Sequence, residues 1–177
     1  GECVPNEDKI FSIFEPHTEL IKRGKAGRPI EFGHMVTIGQ NEDKFITYYD
    51  VMEKREPDNT RTDVVIANHK KQFGAPPSQF AADKHYYKSM EHIYTWEEEI
   101  ETFSIGKRGK RNQAELEREH AEDFIDAQRF RAGSEGSISV LKRAFGLRKC
   151  FFKGYKTFAA SLGLIVFCHN LVLLTRL

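Results

Sequence analysis

Hydrophobic and polar positions alternate with strand period in the first third of the chain and with helical period in most of the rest. Ile10 to Glu15 (Ile-Phe-Ser-Ile-Phe-Glu) predicts a short strand that stops at Pro16. Ile30 to Ile38 and Lys44 to Met52 alternate around a Gly39–Asp43 turn and predict an antiparallel hairpin. A helix is predicted from Thr60 to Phe73, capped by Asp58 or Asn59, with Val64, Val65 and Ala67 inward; Gly74 and two prolines end it. Ser78 to Ala82 is a short apolar run leading into Asp83, an acid at the carboxyl end of a strand, where open α/β sheets place ligands. A helix over 86–98 and a strand over Thr102–Ile105 follow. Asn112 to Ala132 is helical and charged, and it runs into the next stretch directly or through a kink at Gly133.

That next stretch, Arg129 to Arg143, organises the rest. At about 100° per residue, Arg131, Glu135 and Lys142 fall within roughly 40° of one another. Ile138, Leu141 and Phe145 form a second sector, and Val140, Ala144 and Leu147 a third, so most of the circumference calls for burial. Gly133 and Gly136 each cost about 1 kcal/mol relative to Ala inside a helix, which suggests the approach of another backbone or a ligand. By itself the stripe also reads as a solvated face laced with ion pairs. The final apolar run, Phe158 to Leu174, approaches the length of a membrane span, but His169-Asn170 interrupts it; it reads as a buried core helix, with a membrane-associated role as the alternative.

Composition adds little until charge is placed along the chain. The 177 residues include fourteen Phe and carry a net charge of +1, enough for one domain with a packed core. From Lys142 to Leu177 there are seven Lys or Arg and no Asp or Glu. This basic C-terminal stretch, in which Arg148, Lys149, Lys153 and Lys156 mix with Phe151, Phe152 and Tyr155, reads as a polyanion-contacting surface or as a solvated one with the aromatics in the core. Lys22–Arg28 and Lys107–Arg111 are further basic loops. Three cysteines without a close pair read as a reduced, cytoplasmic protein with no zinc site, and no secretory signal is visible in the polar first residues. His34, His120 and His169 read as surface or satisfied interior histidines.

The spacing Arg131-x3-Glu135-x6-Lys142 resembles the signature around the last acid of DDE transposases of bacterial insertion sequences, ISNCY-type members in particular. Phe11-Ser12-Ile13-Phe14-Glu15-Pro16-His17-Thr18-Glu19, Lys22-x-Gly24-Lys25-Ala26 and Ile30-Glu31-Phe32-Gly33-His34 resemble that family's central block. Ala82-Asp83-Lys84, Lys107–Arg111, Arg118-Glu119-His120 and His169-Asn170-Leu171 also fit, so the likeness runs over most of the chain. Two positions depart from the pattern: Gln128 stands where the family has tyrosine, and His85 where many relatives have glycine.

The resemblance implies an α/β, ribonuclease-H-like mixed sheet flanked by helices, with residues 1–177 forming a partial catalytic domain that lacks its first strand and first catalytic Asp. It implies Mg²⁺-dependent (or Mn²⁺-dependent) cleavage and strand transfer at insertion-sequence ends. In-line phosphoryl transfer needs converging carboxylates that hold hard cations. Asp83 and Glu135 would be the catalytic and metal-binding acids. Arg131, Lys142, Lys107, Arg108 and Lys110 would contact DNA or support the site. The partners implied are transposon-end and target DNA in the nucleoid, with self-association favoured by exposed sheet edges and no membrane. With one acid missing, the expected state of the chain alone is inactive; the alternative is a non-catalytic DNA-binding remnant.

Overall fold

The computed structural model describes residues 4–5, 8–22 and 30–177. Six short strands and five α-helices follow one another as β1 (Glu19–Lys22), β2 (Ile30–Gly33), β3 (Val36–Gln40), β4 (Ile46–Val51), α1 (Arg61–Phe73), β5 (Gln79–Ala81), α2 (Met90–Glu97), β6 (Thr102–Ser104), α3 (Gln113–His120), α4 (Glu122–Ala144) and α5 (Tyr155–Leu174). The strands pair two by two. β1–β2 and β3–β4 are antiparallel, β5–β6 is parallel, and among the described residues no pair is joined to another.

The expected ribonuclease-H-like mixed sheet is therefore not what the chain builds among its described residues. Helices carry most of the regular structure, and the strands are three to six residues long. One reason lies in Ile10–Glu15, the expected first strand. The Ser12 hydroxyl accepts the Glu15 N–H, and Glu15 C=O accepts the Thr18 N–H, so local turns use the groups that a ladder would need. Ile10, Ile13 and Phe14 are left exposed. A second reason is Gly33, whose φ of +147° ends β2 and splits the expected 30–38 strand between two partners. The hairpin itself forms over 36–51, with a register shift at Gly39/Gln40 and a tight turn at Asn41–Lys44.

Two cores result. The first packs Ile66, Ala82, Ile93, Ile100, Phe103 and Ile105 between α1, α2 and the β5–β6 pair. Among the apolar residues of α1 it is Ile66 that is buried, while Val64 and Ala67, expected to face inward, are exposed. The second packs Ile46, Val51, Leu141, Leu162 and Val166 between β3–β4, the end of α4 and α5. Arg61 is buried at the start of α1 and is held by Asp50, Glu56 and Tyr48. Helix α1 ends as expected at Gly74, in the left-handed region at φ +82°, but no side chain caps its start.

The charged helical run breaks at Ala121, not at Gly133. Ala121 is extended (φ −61°, ψ 143°), and α4 then continues through both glycines for 23 residues. Helix α4 joins the two cores: Phe124 and Ala127 are buried near β5–β6, and Leu141 is fully buried in the second. Val140 and Ala144 remain exposed, so less of α4 is covered than its pattern asked for.

Helix α5 is also half-covered. Leu162, Val166 and His169 are buried, while Leu164, Phe167 and Leu174 are about 60% exposed. The expected fully buried core helix is thus a peripheral one, and by length and composition it is apolar enough to cross a membrane. Asn170 fixes it to β4 by accepting the Ile46 N–H and donating to the Ile46 carbonyl. A chain of polar contacts joins Glu15, His17 and His34 to the Met52 carbonyl, and the Gly154 N–H donates to Glu15 at the start of α5.

Candidate functional site

Asp83 follows β5 and turns the chain into a short 3-10 segment, Lys84–Tyr86. Its Oδ1 accepts the His85 N–H at 3.0 Å and lies 2.5 Å from His85 Nδ1. Its Oδ2 accepts from Arg131 Nη1 at 3.4 Å. Burial pushes the Asp83 carboxyl up, but the two His85 contacts and the Arg131 charge outweigh it and leave the group below its ordinary value. Asp83 is therefore a strand-end acid and a cap at once, and both of its oxygens have partners.

Arg131 is brought to Asp83 by the way α4 is fastened. One turn earlier, Gln128 Nε2 donates to the Ser104 carbonyl at 2.6 Å and to the Ala82 carbonyl at 3.2 Å. That amide clamps α4 across the ends of β5 and β6, next to Asp83. The sequence reading treated Gln128 only as a departure from a motif and missed this role. A signal was available: a polar residue three positions before Arg131, on the flank of α4 that turns toward buried Ala127.

Glu135 lies one turn beyond Arg131 on the same polar stripe and is exposed. Lys142 follows two turns later, about 10.5 Å along the axis, and is also exposed. A Cβ added at Gly133 or Gly136 would meet nothing within 4 Å, so no other backbone approaches there and the flank of Glu135 is open. The structure thus brings Asp83 and Arg131 together and aligns Glu135 and Lys142 along the helix.

The donor set does not fit a Mg²⁺ or Mn²⁺ ion as it stands. Among the described residues no group of three or more His, Cys, Asp or Glu side chains could hold a metal. Asp83 also faces a guanidinium where a cation would need an open carboxylate.

The basic residues divide into two kinds. Lys107 Nζ is bound to both Glu115 oxygens at 2.6 and 2.7 Å, and its N–H donates to Glu119, so Lys107 fixes α3 and is not a free contact for DNA. Glu115 also completes a capping box with Asn112. Arg108 and Lys110, by contrast, are exposed. So are Lys142, Arg143, Arg148, Lys149, Lys153 and Lys156, none of which forms a salt bridge among the described residues. Within this segment Phe151 is 82% and Phe152 60% exposed, and Lys149 Nζ lies 5.2 Å from the Phe151 ring centroid. The basic loop 22–28 falls mostly on residues outside the described set, as does Cys3. Cys150 and Cys168 are free thiols.

A depression of about 190 Å³ lies away from this region, between Phe103, Arg118 and Phe124. The Arg118 guanidinium fills its role there by bonding Glu97 and the Phe103 carbonyl. No family model matches the chain, and no curated protein or solved structure matches it.

Proposed function

We propose that this chain is a DNA-binding portion of a DDE-type transposase, that it carries two of that family's acids, Asp83 and Glu135, and that by itself it binds DNA without cutting it. The observation that carries the binding half is the exposure of Phe151 and Phe152 among Arg148, Lys149, Lys153 and Lys156. Aromatics that belonged to the core would be covered. Exposed rings set between unpaired cations suit bases and phosphates together: rings stack on bases, and cations displace counterions from the backbone. Lys142 and Arg143 extend the positive surface along the end of α4 toward Glu135.

The non-cutting half rests on the partners of Asp83 and on the absence of a metal-holding group among the described residues. In the family reading, Mg²⁺ or Mn²⁺ belongs to Asp83 and Glu135 only in company with a further carboxylate. The test uses a labelled duplex with one frayed end, incubated with the chain in the presence and absence of Mg²⁺. Binding without strand breakage in both is expected. Mg²⁺-dependent breakage that Asp83→Asn abolishes would contradict the non-cutting half, and no binding at low salt would contradict the whole reading.

A further inference from the structure

Helix α5 has two apolar faces, and only one of them is used. Leu162, Val166 and His169 are buried, and Asn170 anchors the same side to β4. On the opposite side run Ala160, Leu164, Phe167, Leu171 and Leu174. All five are exposed, Leu164 and Phe167 to 62% and Leu174 to 60%. At about 100° per residue they fall within roughly 80° of arc, centred nearly opposite the buried face. Their spacing is four, three, four, three, which averages 3.5 residues. That is the period of a seam between two helices, since a lone surface helix has no reason to keep a narrow stripe in register with a partner.

We propose that this stripe is the contact with a second copy of the chain, and that the two α5 helices pair antiparallel about a twofold axis at Phe167. Three observations select this occupant. The stripe reads almost the same in either direction from Phe167, which a self-complementary patch requires. Between Lys156 and Arg176 the helix carries no charged residue, so nothing on its flanks repels an identical helix. Lys156 continues the stripe one turn before Ala160. In an antiparallel pair it lies beside the partner's C-terminal carbonyls, the negative end of that helix, whereas a parallel pair sets Lys156 against Lys156. The exposed side chains make a patch on the order of the few hundred Å² at which apolar surface on a monomer marks a contact. Two such patches approach the lower range of specific interfaces, which calls for a reversible dimer. Anchoring of α5 through Asn170 keeps the stripe outward and leaves its other side unavailable to lipid.

The test is sedimentation of the full chain at micromolar concentrations, as wild type, Phe167→Glu, Phe167→Arg and an equimolar mixture of the two variants. The wild type is expected to double its mass. Each variant alone places like charges together at the axis and is expected to stay monomeric with unchanged circular dichroism, because Phe167 is exposed. The mixture restores the dimer, because Glu then faces Arg. A monomeric wild type, variants that still dimerise, or a mixture that stays monomeric would each overturn the proposal. So would a monomeric wild type that binds neutral phosphatidylcholine vesicles through Phe167.

Discussion

At Asp83, His85 and Arg131 the local chemistry is that of a carboxylate held in its charged form. Both donors from His85 come from a residue two positions on, made possible by the turn that starts at Asp83. Replacing His85 with Ala removes the ring contact and its charge and keeps the backbone one. The Asp83 carboxyl is then expected to titrate higher, measured from its carbon chemical shift across pH. An unchanged midpoint would mean that the backbone N–H of residue 85 and Arg131 hold it down without the ring. The place of Asp83 just after a strand was legible in the sequence, because a strand-like run ends in it. Its pairing with Arg131 was not, since that depends on how α4 is clamped by Gln128, forty-five residues further along the chain.

Helix α4 shows what periodicity can and cannot convey. The stripe of Arg131, Glu135 and Lys142 was legible from spacing alone, and it lies along one continuous helix. The break at Ala121 was not legible, because no glycine or proline marks it. Two acids at the start of α4, Glu122 and Asp123, suit its positive end and help to restart the helix there. Gly133 and Gly136 suggested a close approach, yet the space beside both is open. Each therefore costs helix stability with no packing in return. Gly133→Ala and Gly136→Ala are each expected to stabilise the chain by about 1 kcal/mol, read from denaturant midpoints at constant slope. A loss of stability would show that something does pack there. At Gly163 of α5 the opposite holds: an added Cβ would meet Tyr49 Oη at 2.8 Å.

For the whole molecule, charge makes stability depend on pH. His34 lies between β2 and β3 and donates Nδ1–H to Met52. Burial lowers its ring from the ordinary 6.5, against the Met52 contact and the nearby Glu19 and Glu53, and His17 adds to the lowering. A depressed folded value means that the unfolded chain binds the proton first. Stability is then full above about 6.5 and is lost as pH falls through the folded value. Asp63, raised by burial but lowered more by His92 and Trp96, is depressed as well, and so is Glu115 through Lys107 and Asn112. These carboxylates add a second loss below their ordinary values of 3.8 and 4.5. Thermal melting against pH is expected to show two descending steps, and His34→Gln to shrink the upper one, the rest of which belongs to His69, whose ring burial also lowers; a single acid step in the wild type would contradict this.

The fold of the whole was the least legible level. The hairpin, most of the helices and the short strand that runs into Asp83 follow from local pattern. Whether two-stranded pairs merge into one sheet depends on long-range pairing that local pattern does not contain. Here Ser12, Gly33 and the three-residue lengths of β5 and β6 kept the pairs apart.

The proposed role of the exposed basic and aromatic segment after α4 is to bind DNA. Its most direct test is the salt dependence of duplex binding, measured by fluorescence anisotropy for the wild type and for the chain with Arg148, Lys149, Lys153 and Lys156 all replaced by Ala. Steep weakening with salt is expected in the wild type, and a slope of log affinity against log salt smaller by about 1 for each cation removed. Equal slopes for the two proteins, or wild-type binding indifferent to salt, would contradict it.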